Sequence, residues 1–276
     1  MKTALVLEGG AMRGMYTAGV LDVFIENGIK FDAVIGASAG ALFGVNYLSG
    51  QNGRAIRYNK KYNGDKNYMG ILPLLKEGNI VSTEYAYVRV PRELDVFDDE
   101  TYKKSDIPFY AVISNIETGE PEYVRITSVF EQMDTLRASG SMPFVSKPVE
   151  IDGKKYLDGA VTDSIPFEYM LNKGYDRVVV VLTKKKGYIK GAIPAWFCNL
   201  FYKRKYPKFA EKVCHRHIMY RTEMDRLKEL ESKGVACIIQ TDKDIKVGKI
   251  EKNPEKMEKL YQAGREDGEK WIKEFK

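Results

Sequence analysis

Ser38 stands in the run Gly36-Ala37-Ser38-Ala39-Gly40. A serine flanked in this way can occupy a turn tight enough to push its hydroxyl outward as a nucleophile, with the glycines relieving the crowding behind it. The pentapeptide alone is weak, arising by chance in roughly one chain of this size in ten at ordinary Gly and Ser usage. Its position, between an apolar run and a stretch of small residues, is what makes it informative. A serine nucleophile also needs a base. The chain has two histidines, His215 and His217, in a stretch that reads as helix, where residues two apart do not share a face. An order Ser38, Asp158, His215 would suit a histidine triad, but folds built on that order carry several strands before the elbow, and here it follows only the second. Cys214 and His217 lack the two further ligands of a metal site. Asp158 is the better base. It ends the run Tyr156-Leu157-Asp158 and enters Gly159-Ala160, a turn that can bring a carboxylate to a strand's C-terminal edge; partial desolvation would raise its basicity. Asp163 is a less well-placed competitor.

A second constellation precedes the serine: Gly9-Gly10-Ala11-Met12-Arg13-Gly14. As a dinucleotide-phosphate loop it would call for a carboxylate at the end of the next strand. That strand ends Val34-Ile35-Gly36 and runs straight into the elbow. As an oxyanion hole, the loop would aim bare backbone N–H groups at a developing alkoxide, with a helix N-terminus and the Arg13 charge adding to the field.

The elements that must hold these residues follow from periodicity. An apolar run at 3–7 predicts a buried strand, residues 15–26 a helix ended by Asn27-Gly28, residues 31–35 a second strand, and 41–48 a buried helix. Strand, loop, helix, strand, turn, helix is the opening of a parallel α/β unit. Residues 50–107 read as short helices and loops. Further strands are expected at 109–114, 122–127, 155–158, 177–183 and 235–240. Helices are expected at 129–137, 166–173, 208–232 and 254–275, with breakers at 138–148 and irregular chain at 187–207.

Taken together, the glycine-rich loop, the Gly36-Ala37-Ser38-Ala39-Gly40 elbow and the later Asp158-Gly159-Ala160 resemble the three ordered motifs of the patatin-like phospholipase family, and are closest to its bacterial, single-domain members. The stretch Ala138-Ser139-Gly140-Ser141-Met142-Pro143 is similar to that family's approach to its aspartate. The resemblance covers residues 3–185. It implies a three-layer α/β/α fold with a mostly parallel central sheet: a catalytic core at 1–185, with a basic, aromatic C-terminal segment at 186–276 packed on or extending it. It also implies a serine acyl hydrolase cleaving carboxylic esters of lipids, of phospholipase A, lysophospholipase or esterase type. Ser38 would be acylated, Asp158 would act as base in both half-reactions, and the Gly10 and Ala11 amides with Arg13 would hold the oxyanion. No cofactor or metal is implied. Ala11 departs from a glycine common in the family's loop and narrows the allowed backbone angles there. A non-catalytic scaffold of the same fold would not need Ser38, Asp158 and Arg13 all intact.

Charge is unevenly spread. Residues 1–150 carry 16 Lys+Arg against 19 Asp+Glu, a net of −3, and residues 151–276 carry 28 against 19, a net of +9. A basic half points to an anionic partner. Residues 183–212 hold nine basic residues and one acid, interleaved with Tyr188, Trp196, Phe197, Phe201, Tyr202, Tyr206 and Phe209. That mixture suits a bilayer headgroup region, so a lid or interfacial patch meeting an anionic membrane is expected there. No nucleic-acid-binding module is recognisable. Three cysteines with no CxxC pair and the lack of a signal-peptide core or an apolar stretch of about 20 residues lead us to expect a cytoplasmic protein, at most peripheral on a membrane.

Overall fold

The apolar runs of the sequence become the centre of one sheet. A computed structural model describes residues 1–275, and among them eight strands occur: β1 (Thr3–Leu7), β2 (Ala33–Ala37), β3 (Phe109–Asn115), β4 (Pro121–Ile126), β5 (Val149–Ile151), β6 (Lys154–Asp158), β7 (Arg177–Val181) and β8 (Ala236–Ile239). They pair in the order β5-β6-β3-β2-β1-β7-β8, with β4 on the other edge of β3. The pairs from β3 through β2, β1 and β7 to β8 are parallel, and those made by β4, β5 and β6 are antiparallel. The sheet is therefore mixed and mostly parallel.

Strands covered on both faces must be apolar at nearly every position. In β1, Leu5 and Leu7 face one layer while Ala4 and Val6 face the other, the two-residue alternation of a pleated strand. The helices are α1 (Met15–Glu26), α2 (Ala39–Leu48), α3 (Arg54–Tyr62), α4 (Ile71–Glu77), α5 (Asp99–Lys103), α6 (Met133–Gly140), α7 (Phe167–Asn172), α8 (Ala195–Cys198), α9 (Pro207–Ser232) and α10 (Pro254–Phe275). Helices α1, α2 and α10 cover the Leu5/Leu7 face, and α7 and α9 the Ala4/Val6 face. The result is a three-layer α/β/α fold.

β1, α1 and α10 coincide with the sequence expectation. Departures elsewhere have identifiable causes. The helix expected at 129–137 begins at Met133 and continues through Ala138, Ser139 and Gly140; their small size suits them to a tightly packed helix end rather than to a loop. β5 has three residues, too few to show a period. The irregular chain expected at 187–207 holds the short α8 and a widened π-type turn over Asn199–Lys203. A longer π-type segment, Glu84–Leu94, contains Pro91, which lacks the N–H that a regular helix would use.

One detail of register positions the site. Along a single edge of β3, β2 pairs up to Ala37↔Val112, and β6, arriving from the opposite direction, begins at Ile113↔Asp158. The C-terminal ends of two strands 120 residues apart thus meet head to head.

Candidate functional site

Ser38, the residue after β2, is therefore brought against Asp158, the last residue of β6. Its Oγ donates to Asp158 Oδ2 at 2.9 Å. Both side chains are buried, at 5% and 3% exposure. Ser38 sits at φ 54°, ψ −121°, a conformation that side-chain-bearing residues avoid and that costs about 1–3 kcal/mol. The surroundings enforce it. A Cβ on Gly40 would lie 2.3 Å from the Leu7 carbonyl oxygen, and one on Gly36 2.4 Å from the Gly40 carbonyl carbon, so the turn closes this tightly only with hydrogens there. The Ser38 carbonyl accepts the amides of Ala41 and Leu42, both at 3.0 Å, starting α2.

The Ser38 amide donates to Ser139 Oγ at 2.9 Å, and that hydroxyl donates in turn to the Val112 carbonyl at 2.7 Å. Two residues on, the Ser141 carbonyl accepts the Asp158 amide at 2.8 Å. The segment Ser139–Ser141 thus braces both members of the pair. Sequence singles out the segment but not this bracing, because a hydroxyl 101 residues from its partner leaves no local pattern. Asp158 Oδ1 accepts the Ala160 amide at 2.9 Å. Burial pushes the Asp158 carboxyl above its ordinary range, while Arg216, the Ser38 hydroxyl, the Ala160 amide and Lys190 pull the other way.

The glycine-rich loop lies directly beside the serine: a Cβ on Gly9 would come within 3.2 Å of Ser38 Cβ. Gly9 donates to the Ser164 carbonyl (3.3 Å) and Arg13 to that of Gly10 (3.1 Å), whereas among the described residues no carbonyl takes the amides of Gly10 or Ala11. Ala11 adopts φ 49°, so the departure from glycine falls where the backbone is left-handed, at a cost of roughly 1–2 kcal/mol. The loop's six residues do not all face the serine. Gly9, Gly10, Ala11 and Arg13 line the cleft over Ser38 and Asp158. Met12 points into the neighbouring apolar cavity, its sulfur accepting from Asn63 Nδ2, and Gly14 is packed under Phe43 and Ala39.

Ser38 lies between two cavities that share Ala11, Met142 and Lys249 and differ in the number of cations they carry. One is walled by Leu42, Phe43, Val90, Phe97, Leu136 and other apolar side chains. The other, which also exposes Asp158, is lined by Arg13, Lys184, Lys190, Arg216 and Lys249. Lys184 is occupied: its ammonium meets Glu8 Oε1 at 2.7 Å, and Glu8 also accepts the Thr183 amide and hydroxyl. Burial alone would raise the Glu8 carboxyl, but Lys184 holds it below its ordinary value. This buried pair ties the start of the glycine loop to the end of β7, and nothing in the local sequence announces it.

His215 is exposed on α9 and does not line the cleft. His217 does, with its Nδ1 at 3.0 Å from the Cys214 carbonyl. Asp163 lies outside the cleft and accepts the Tyr123 hydroxyl at 2.7 Å. The three cysteines are free thiols.

A family model described as patatin-like phospholipase matches residues 5–171, and a second, described only as a domain of unknown function, matches residues 206–276. The chain is 30% identical over 186 residues to the uncharacterized protein YjjU of Escherichia coli, covering 66% of this chain and 52% of that one. It is 29% identical to lysophospholipase nte1 of Aspergillus fumigatus and 26% identical to neuropathy target esterase sws of Drosophila melanogaster, in each case over 64% of this chain and 12% of the relative. It thus spans about half the length of the bacterial relative and a small part of the other two. Among solved structures, VipD of Legionella pneumophila aligns with 99% of this chain and 67% of its own, at TM-score 0.46 and 12% identity.

Proposed function

The chain belongs to the patatin-like phospholipase family, and from that premise we propose that it is a serine acyl hydrolase of lipid esters working through a Ser38–Asp158 dyad. The observation that carries this reading is the 2.9 Å hydrogen bond from the strained Ser38 hydroxyl to a buried carboxylate. In the proposed reaction Asp158 takes the Oγ proton as Oγ bonds to the ester carbonyl carbon. The Gly10 and Ala11 amides and Arg13 stabilise the resulting oxyanion. Collapse breaks the bond to the alkoxide, which leaves with the proton from Asp158, and the acyl group stays on Ser38. Water then attacks, giving its proton to Asp158, and fatty acid departs as Ser38 is reprotonated. The apolar cavity beside Ser38 would take the acyl chain. The relatives named as a lysophospholipase and an esterase support ester hydrolysis as the reaction.

Hydrolysis of p-nitrophenyl esters of graded chain length tests the reading. Ser38→Ala and Asp158→Asn are expected to lose activity by about a thousandfold or more. His217→Ala, which would be crippled just as deeply if a histidine were the base, is expected to stay within about tenfold of the parent. Full activity in Asp158→Asn would rule out the dyad.

A further inference from the structure

The leaving-group side of Ser38 sets apolar side chains such as Met142, Phe144 and Ile193 beside cations that no carboxylate pairs with among the described residues. Among the described residues, Arg13, Lys190, Arg216 and Lys249 line the cleft and none has a carboxylate within ion-pair distance, in contrast to Lys184 on the same wall. Arg216 Nε is buried without a hydrogen-bond partner. A buried donor left open is destabilising, and more so on a charged group, so its retention needs a cause. The Lys190 ammonium lies over the face of Tyr220, at 4.3 Å. Burial and the Arg216 and Lys184 charges push Lys190 down to about 6, and burial followed by Arg216 and Arg13 lowers Lys249. These groups repel one another across a gap whose only lining carboxylate among the described residues is Asp158, already bonded to Ser38 and to the Ala160 amide.

The opposite cavity has a different character. Its buried cation, Arg54, is satisfied by Asp95 and by Asn46 Oδ1; Lys249 stands where the two cavities meet, and the rest of the wall is largely apolar. An ester seated with its carbonyl over Ser38 and its acyl chain in that cavity therefore directs its alcohol portion at the unpartnered cations.

We infer that Arg216 and Lys249, with Arg13 and Lys190, form a subsite for a phosphate carried by the alcohol portion of the substrate, so that the enzyme prefers acyl esters with an anionic phosphorylated headgroup over zwitterionic or neutral ones. Arg216 lies on α9 and Lys249 in the loop before α10, both within the segment 206–276 whose matching model has no assigned function. The segment thereby closes the catalytic cleft with the groups that read the headgroup. Arginine presents a planar fork to phosphate oxygens and lysine a point charge, and such charge-assisted bonds are the stronger kind.

The inference rests on the acyl hydrolase reading and can be tested apart from it. Hexanoyl-lysophosphatidate, hexanoyl-lysophosphatidylcholine and monohexanoylglycerol share one acyl ester and stay monomeric, so attraction to a charged surface does not enter. Release of hexanoate is expected to be fastest, in kcat/KM, from the lysophosphatidate, by about tenfold or more over the other two. In Arg216→Gln, and separately in Lys249→Gln at the exposed rim, the ratio of lysophosphatidate to monohexanoylglycerol is expected to fall about tenfold. Because a ratio is read, a general loss of activity in either variant cancels. Equal rates on all three substrates, or an unchanged ratio in both variants, would overturn the headgroup inference while leaving the hydrolase intact. No hydrolysis of any of them, or of p-nitrophenyl butyrate, would instead sink the hydrolase reading on which it stands.

Discussion

Asp158 sets the pH dependence expected of the proposed dyad, because only its carboxylate can accept the Ser38 proton. Burial raises its pKa, and Arg216 is the strongest opposing influence. The sign follows directly. Activity is present above the Asp158 pKa and lost as pH falls through it, and that pKa lies above the ordinary aspartate value of about 3.9. On a neutral p-nitrophenyl ester, kcat/KM is expected to show an acid limb displaced upward from that value, and Arg216→Gln to move the limb further up by removing the cation. A limb at the ordinary aspartate position, unmoved in Arg216→Gln, would mean that Asp158 is not the titrating base. Residues of this kind differ in how legible they are in the sequence. Gly36, Ser38, Gly40 and Asp158 can be read because a turn and a strand end write their requirements into neighbouring positions. Arg216, Ser139 and the Glu8–Lys184 pair cannot: Ser139, Glu8 and Lys184 act on groups distant in sequence, and Arg216 is one of many cations that a surface helix supplies.

Elements show the same division. The two helices most tightly joined, α1 and α10, are both legible from capping and periodicity, but their contact is not. It depends on glycines whose backbones touch. A Cβ on Gly264 would lie 2.0 Å from the Tyr16 carbonyl oxygen, and one on Gly19 2.1 Å from that of Tyr261. The contact is locked by Tyr261 Oη donating to Asp22 Oδ2 at 2.8 Å and by the Arg265 fork on Glu26. Gly264→Ala sets two effects against each other. Helix propensity favours alanine by about 1 kcal/mol, whereas overpacking against a carbonyl that cannot rotate away costs about 1–3 kcal/mol. The packing term is expected to win, lowering Tm by a few degrees in thermal denaturation followed by circular dichroism. A Tm equal to or above the parent's would show that the helices can part at little cost. The register that joins β2 to β6 along β3 is the other element-scale fact hidden from sequence. The strands are foreseen, but nothing within either one specifies that Asp158 follows Ala37 along the same edge.

At the scale of the whole molecule, the aromatic and basic segment at 183–212 divides in a way composition cannot foretell. Tyr202 and Phe209 are buried with Cys198 in a small core of their own, while Trp196, Leu200 and Phe201 stand exposed, followed along the chain by exposed Lys203, Arg204 and Lys205. The aromatic rings of Phe197 and Phe201 pack on Phe144, which lines the cleft with Ser38. An apolar surface rimmed by cations thus adjoins the cleft mouth. No helix among the described residues is long and apolar enough to cross a membrane. Contact of a different kind, with this patch lying in the headgroup layer, would place the cleft where lipid esters are. Each basic side chain near an anionic surface contributes about 1 kcal/mol. Reversing Lys203, Arg204 and Lys205 to glutamate is therefore expected to weaken binding to phosphatidylserine-containing vesicles about a hundredfold or more. Trp196→Ser with Phe201→Ser should weaken binding to neutral phosphatidylcholine vesicles as well, because it removes apolar area rather than charge. Hydrolysis of a monomeric p-nitrophenyl ester by the charge-reversed chain should persist, since its three positions lie outside the cleft lining. Vesicle sedimentation distinguishes the outcomes, and unchanged binding by both variants would leave the patch without a membrane role.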